Sequence, residues 1–306
     1  MEKKRLSDYR ALARMTMKGH YGTMLLAVVV YFAIQMIISR IFAGLVNTQS
    51  SIMLAAYFVL ELMVSIIILG PLAIGLNGFF LNCISGDYDI KNIFNPFRTN
   101  LGNTVKVYFF TQLKLFLWLI IPWLIGMVIV ASAAAVIIIN TGADWLGQIE
   151  QYLTQLLNML EGVSANASAI PNEALGMFVA LYSILLAVSL LFTIPGIIKA
   201  YEYMMIPYIV AEDADISVKE AFRRTKIMMK GNKLRYFGLT LSFTGWFLLG
   251  VSVLGMGVVL VIPYLNTANA HFYIDAKKRL GSSDTTEQEK DTGNGIDFDE
   301  GDTFGI

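Results

Sequence analysis

Apolar positions in this chain come in long unbroken runs, not in the short alternations of a soluble domain. The runs at 23–46, 52–72, 115–138, 175–197, 236–254 and 257–276 each approach the roughly 20 residues that a helix needs to cross a hydrocarbon core about 30 Å thick. They predict six membrane spans. Two runs are longer than a straight span requires. The apolar stretch from Ile52 to Asn82 is interrupted by Gly70-Pro71, so its second part is expected to continue as helix past the bilayer. Lys106 and Lys114 stand early in the stretch from Thr104 to Ile139, which moves its buried portion to about Leu115 onward. Pro71, Pro122, Pro195 and Pro263 are the expected kinks. The last apolar block, Tyr236 to Ala276, reads either as one long helix or as a pair turning at Gly255-Met256-Gly257.

The segments between the runs carry a different pattern. In 1–22, Leu6, Tyr9, Leu12 and Thr16 fall loosely in helical register within a basic stretch; in the inner loop 83–103, Ile90, Ile93, Phe94 and Phe97 make an apolar stripe. The inner loop 211–235 is the most explicit. Ser217 and Glu220 have capping-box spacing, so a helix is expected to start there. Val218, Ala221, Phe222, Thr225, Met228 and Met229 then recur at helical spacing, with Arg223, Arg224, Lys226 and Lys230 mostly opposite, and Gly231-Asn232 suits its end. All three segments are expected to lie along the membrane interface, with their basic side chains on anionic head groups. The outer loop 140–173 repeats Trp145, Ile149, Tyr152, Leu156 and Leu160 at helical spacing and contains no Lys or Arg.

Composition agrees with a membrane protein: of 306 residues, 56% are hydrophobic and only 15% charged, against about 25% charged in soluble domains. Net charge is zero, with 23 basic and 23 acidic residues, so it is their placement that informs. Lys230, Lys233 and Arg235 precede the last apolar block and Lys277, Lys278 and Arg279 follow it, which brings both its ends to the cytoplasm and favours the pair of spans. Both termini are then cytoplasmic. The fold class expected is an all-α polytopic bundle: a basic segment 1–22, a six-span membrane domain 23–276 with interfacial amphipathic helices, and an acidic, disordered tail 277–306. The N-terminal segment does not resemble a cleavable signal, because its bases are dispersed from Lys3 to Lys18 and no small-residue cleavage pattern follows.

Read together, the inner segments suggest a threefold repeat of surface helix plus hairpin. Each has a turn pair, Gly19-His20, Gly102-Asn103 or Gly231-Asn232, and the second and third open on Asp87-x-Asp89-Ile90 and Asp213-x-Asp215-Ile216. Chance likeness between apolar segments is the competing reading.

Few residues carry obvious chemistry. Glu61 lies about 13 Å inside its span at the helical rise of about 1.5 Å per residue, with Arg40 and Gln35 in the neighbouring span. A carboxylate at that depth is expected to be neutral or paired. The three residues form either a polar intramembrane site or, on the plainer reading, a helix-pairing ion pair between Arg40 and Glu61. A single cysteine, Cys83, excludes an internal disulfide. His20 and His271 lack ligand spacing, and the Asp297, Asp299, Asp302 cluster lacks the terminal Glu of a calcium loop, so no metal is expected. No phosphate-binding loop, dinucleotide fingerprint or nucleophile motif occurs; no cofactor and no nucleic-acid partner are expected.

From Tyr201 to Tyr273, and in the residues just before, the chain resembles the bacterial domain-of-unknown-function 975 family of integral membrane proteins. The likeness rests on IPGIIKAYEYMMIPYI, AEDAD, MMKGNK, LSFTGW (Leu241–Trp246) and IPYLNTANAHFY (Ile262–Tyr273), with GPLAIG at Gly70–Gly75 and the loop around Ile90 as weaker matches. The outer loop at 140–173 looks longer than the family pattern. The resemblance implies a protein of the cell membrane, most often of Gram-positive bacteria, and carries over no activity. The leading expectation is a non-catalytic scaffold, accessory or lipid-interacting factor, with anionic lipids and a membrane-protein partner as the contacts to look for. The alternative is a small transporter or exporter that uses the kinked helices and Glu61, and a membrane enzyme comes third.

Overall fold

The structure is a computed structural model and describes residues 4–44, 51–141, 154, 172–252 and 257–293. Most of the turn at 47–51, most of the outer loop 140–173, most of the Gly255-Met256-Gly257 turn and the tail from 294 lie outside the described residues. Among those described the chain is helical without a strand: α1 (Leu6–Met17), α2 (Tyr21–Ala43), α3 (Ser51–Val64), a π-helical turn (Ser65–Leu69), α4 (Gly70–Ile84), a 3-10 turn (Ile90–Phe94), α5 (Asn95–Arg98), α6 (Leu101–Thr141), α7 (Asn172–Tyr203), α8 (Ile206–Glu212), α9 (Val218–Met229), α10 (Lys233–Leu241), α11 (Thr244–Ser252) and α12 (Gly257–Gly293). Two compact units result, one of residues 1–112 and 201–306 and one of 113–200.

Among the described residues, three helical stretches are long and apolar enough to cross a membrane: Tyr21–Phe42, Met53–Ile84 and Leu101–Ile129. Their outward side chains, such as Met36, Ile37, Phe58, Leu62, Phe116 and Val128, are large, apolar and exposed, as a surface facing lipid requires. The second stretch contains the Gly70-Pro71 break. A proline lacks the N–H for an α-helical bond and its ring presses on the carbonyl four residues back. Here the wider turn absorbs both effects, with the Gly70 N–H donating to the Ser65 carbonyl five residues earlier.

The segment 236–254 is not one continuous helix. It is built as α10 and α11, nine residues each, or about 13 Å at the helical rise. They are separated at Ser242-Phe243, where Phe243 is fully buried against Tyr264 with ring centres 4.8 Å apart. The last apolar block is nonetheless two elements and not one, because α11 ends at Ser252 and α12 begins at Gly257. Their backbones touch: a Cβ on Gly250 would lie 2.7 Å from the Val258 nitrogen, and one on Gly257 2.7 Å from the Gly250 Cα. α12 also runs on to Gly293, so residues 281–293 are helical where the sequence leads one to expect disorder. Helix-compatible Thr, Glu, Gln and Lys follow Ser283 without a proline or glycine until Gly293.

The first unit has its core where the sequence places membrane-surface segments. α12 is its hub and packs on α1, α2, α4, α9 and α11, while α4 packs on the 3-10 turn, α5 and α8. From Thr267 to Ala270 every residue of α12 is buried, followed by Phe272, Tyr273 and Ala276, the all-round burial of a central helix. Onto it fold Tyr9 and Ala13 of α1 and Ala221, Phe222, Met228 and Met229 of α9, while Ile93 of the inner loop is buried against α4. The apolar stripe of α9 is therefore covered by the chain itself, and those of α1 and the inner loop in part, with Tyr9 and Ile93 buried and the other stripe residues half-buried. Period and amphipathicity are the same for a stripe against lipid and a stripe against protein, and the difference is decided only by packing.

In the second unit α6 and α7 come close at Gly196, where a Cβ would lie 2.7 Å from Leu119 Cδ2. Lys199 Nζ stands 5.2 Å from the centre of the Trp118 ring. Around them Leu117, Trp123, Leu124, Leu190 and Leu191 are exposed.

Candidate functional site

The surface helices are shaped locally before they are packed. Ser217 caps α9 by accepting a hydrogen bond from the Glu220 N–H at 3.2 Å. The reciprocal half of the expected capping box is not what Glu220 makes. Its carboxylate takes Arg223 Nε and Arg224 Nε at 2.7 and 2.8 Å, and these hydrogen bonds hold its pKa down to about 2. Gly231 then ends the helix with φ +70°, and Gly19 ends α1 in the same way with φ +83°. Lys18 and Lys230, the residues before them, share backbone angles of −62°, 120° and −61°, 118°. Gly102 differs, sitting inside the first turn of α6, where Asn100 caps through the Asn103 N–H at 3.0 Å. Asp87 and Asp213 do match: each accepts from the N–H two residues on, Asp89 at 3.0 Å and Asp215 at 3.2 Å.

Ionic and hydroxyl contacts fasten these helices to the hub. Tyr9, buried in α1, donates to Asp275 Oδ2 at 2.6 Å, and Asp275 also pairs with Arg279 at 2.8 Å. Burial first, then this hydrogen bond, pushes the Tyr9 phenol up to about 12. Glu212, at the end of α8, accepts from Tyr273 and Lys277 of α12. Buried Glu202 pairs with Lys233, and the Thr225 hydroxyl donates to the Glu202 carbonyl at 2.7 Å. Asn103 donates to the carbonyls of Ala214 and Ile216, both at 2.8 Å, and Asn100 donates to Asp215 at 2.6 Å. His271 meets Thr16 Oγ1 at 2.9 Å.

Three concavities open in the first unit. A polar one of about 470 Å³ lies between α4, the inner loop and α8, with Asn82, Ser85, Asn92, Asn95, Thr104 and Asp215 in its wall. A charged one of about 410 Å³ lies beneath α9, with Glu212, Glu220, Arg223, Arg224 and Lys277 around it. The third, about 630 Å³, is an apolar trough between α11 and α12, rimmed by Arg14 and Lys18. All three fall within the roughly 300–1,000 Å³ of small-molecule sites. Among the described residues, no three His, Cys, Asp or Glu side chains gather as a metal site would require.

The residues singled out in the sequence are only partly brought together. Glu61 and Arg40 are both exposed on their apolar helices, Gln35 is half-buried, and no ion pair between Glu61 and Arg40 occurs among the described residues. Arg223, Lys226 and Lys230 are exposed and Arg224 is half-buried on the outer side of α9. Pro71 follows the π-helical turn, and Pro195 and Pro263 lie inside α7 and α12. Pro122 falls within α6, and its side chain is outside the described ones. What the sequence reading missed is the set of cross-links made by Tyr9, Asp275, Glu212, Tyr273 and Asn103. Their partners are far apart in the chain, and only the residues of AEDAD and IPYLNTANAHFY gave a local signal.

No curated protein and no solved structure matches this chain. Residues 1–280 match the family described as Protein of unknown function (DUF975), and with that coverage the chain belongs to this family of otherwise unassigned activity.

Proposed function

We propose that this protein is a non-catalytic, multi-pass component of the bacterial cell membrane, with six spans and both termini in the cytoplasm, acting as an accessory or lipid-interacting factor. One observation carries the reading. α1 is held to the hub by its buried apolar face and the Tyr9–Asp275 hydrogen bond, and α9 by its buried apolar face and by the Thr225 hydrogen bond to α7, which leaves Arg14, Lys18, Arg223, Lys226 and Lys230 exposed. Because the apolar stripe of α9 is already covered, its hold on a membrane is electrostatic, worth about 1 kcal/mol per base near an anionic surface. Binding of that kind weakens steeply with salt. The threefold repeat of surface helix plus hairpin belongs to the same reading, supported by the matched turns at Gly19 and Gly231 and the matched Asp87 and Asp213.

Crosslinking in the native membrane, followed by purification and mass spectrometry, tests the accessory role. A stoichiometric partner protein or tightly held anionic lipid is the expected result. Recovery alone with a bound solute overturns it in favour of transport. That second reading has an observation of its own: the π-helical turn at Ser65–Leu69 begins one turn after Glu61, and such turns often mark functional positions. Under transport Glu61→Gln abolishes solute flux, whereas under the accessory reading it leaves partner and lipid recovery unchanged.

A further inference from the structure

The trough between α11 and α12 has the two halves of an amphiphile's surroundings. Its floor is formed where Gly250 and Gly257 let the two backbones touch, and its walls are apolar, from Leu249, Leu260 and Trp246. At one end stand Arg14 and Lys18, four residues apart at the end of α1 and just before the apolar stretch that begins at Tyr21. Bases and aromatic rings at that position lie at head-group level in a helix that crosses a bilayer. The rim is also held in place. Tyr21 donates to the Leu260 carbonyl at 2.8 Å, and the Tyr264 hydroxyl donates to the Arg10 carbonyl while accepting from Arg14 at 3.4 Å. Neither Arg14 nor Lys18 meets a carboxylate among the described residues, so the forked guanidinium keeps donors for a planar or tetrahedral anion.

The geometry points to a binding site for one anionic diacyl phospholipid, its phosphate between Arg14 and Lys18 and an acyl chain along the trough. The inference rests on the lipid-interacting reading above and names the site and the lipid class. It is distinct from the surface of α9, whose arginines are engaged by Glu220.

Trp246 lines the trough and is exposed, so its fluorescence reports occupancy. With Trp118, Trp123 and Trp145 replaced by Phe, the full chain is reconstituted in phosphatidylcholine vesicles containing a small fraction of brominated phosphatidylglycerol or, in parallel, brominated phosphatidylcholine. Each base near a charged lipid is worth about a fivefold preference, so the brominated anionic lipid is expected to quench Trp246 with a relative affinity of about 25-fold. Arg14→Gln with Lys18→Gln brings that ratio to about one, and Lys18→Gln alone, an exposed side chain on which no fold contact depends, lowers it about fivefold. Equal quenching by both lipids overturns the proposal, as does a preference that survives the double substitution. Protection of Trp246 from both lipids also overturns it, by placing a second copy of the chain in the trough. Failure here with a stoichiometric partner still recovered from the native membrane leaves the accessory reading standing; failure of both removes it.

Discussion

Gly75 is the position where a single methyl group tests the packing of the first unit. It lies in α4 against the inner loop, and a Cβ there would fall 1.8 Å from the Ile93 carbonyl oxygen, 2.7 Å from its carbon and 3.1 Å from Pro96 Cδ. Since a carbon and a carbonyl oxygen approach no closer than about 3.3 Å without strain, the loop backbone has to retreat by about 1.5 Å. It is poorly placed to do so, because Ile93 is fully buried and Pro96 is buried beside it. Overpacking of this kind costs about 1–3 kcal/mol, and contact with backbone puts Gly75→Ala toward the upper end. The gain in helix propensity from Gly to Ala offsets up to about 1 kcal/mol. A net loss of about 2 kcal/mol lowers Tm by roughly 4–8 °C for a unit of this size. Thermal unfolding in detergent, followed by loss of monodisperse protein, measures it. Gly102→Ala is the matched control. Its Cβ would meet only Asn100 Oδ1, at 3.9 Å, so its Tm is expected to stay level or rise. A Gly75→Ala protein that melts with or above the parent would refute the account of how the inner loop is seated.

Two further outcomes follow from the link between α1 and the hub and from the ion pairs within α9. Tyr9→Phe keeps the ring against Phe272 but removes the donor to Asp275; because Arg279 still pairs with that carboxylate, the loss is near the low end for a hydrogen bond to a charge, about 1.5 kcal/mol. Faster hydrogen exchange of α1 amides is its signature, and unchanged exchange would dismiss the link. Glu220, with its pKa near 2 in the folded protein, takes up its proton more readily when unfolded. Its contribution is thus fully present above about pH 4.5 and lost as pH falls toward 2. Solvent screening of an exposed pair limits that contribution to about 1 kcal/mol or less. Carboxyl NMR of the protein should place the Glu220 midpoint near 2 and show it rising in Arg223→Gln, while a midpoint in the ordinary carboxylate range would exclude the Arg223 and Arg224 contacts.

What the sequence determined alone is whatever depends on neighbours along the chain. The long apolar runs, the Ser217 cap and the glycine stops at Gly19 and Gly231 are all local, since each is set by residues within a few positions along the chain. The lipid-compatible surfaces of α2, α6 and the stretch that runs from α3 into α4 were legible for the same reason: an apolar helical stretch long enough to cross a bilayer has few other environments. Where the amphipathic stripes go was decided by tertiary structure. Phe222, Ile93 and Tyr9 have the spacing that suits a membrane surface, yet they are buried against the chain itself, Tyr9 on Phe272 of α12, Phe222 on Tyr203 of α7 and Ile93 on Gly75 of α4, because an apolar face loses the same water to protein as to lipid. The trough between α11 and α12 was illegible in the same way. Arg14 and Trp246 are separated by most of the chain, and only the contact of Gly250 with Gly257 and the docking of α1 on α12 place a pair of bases beside an apolar floor.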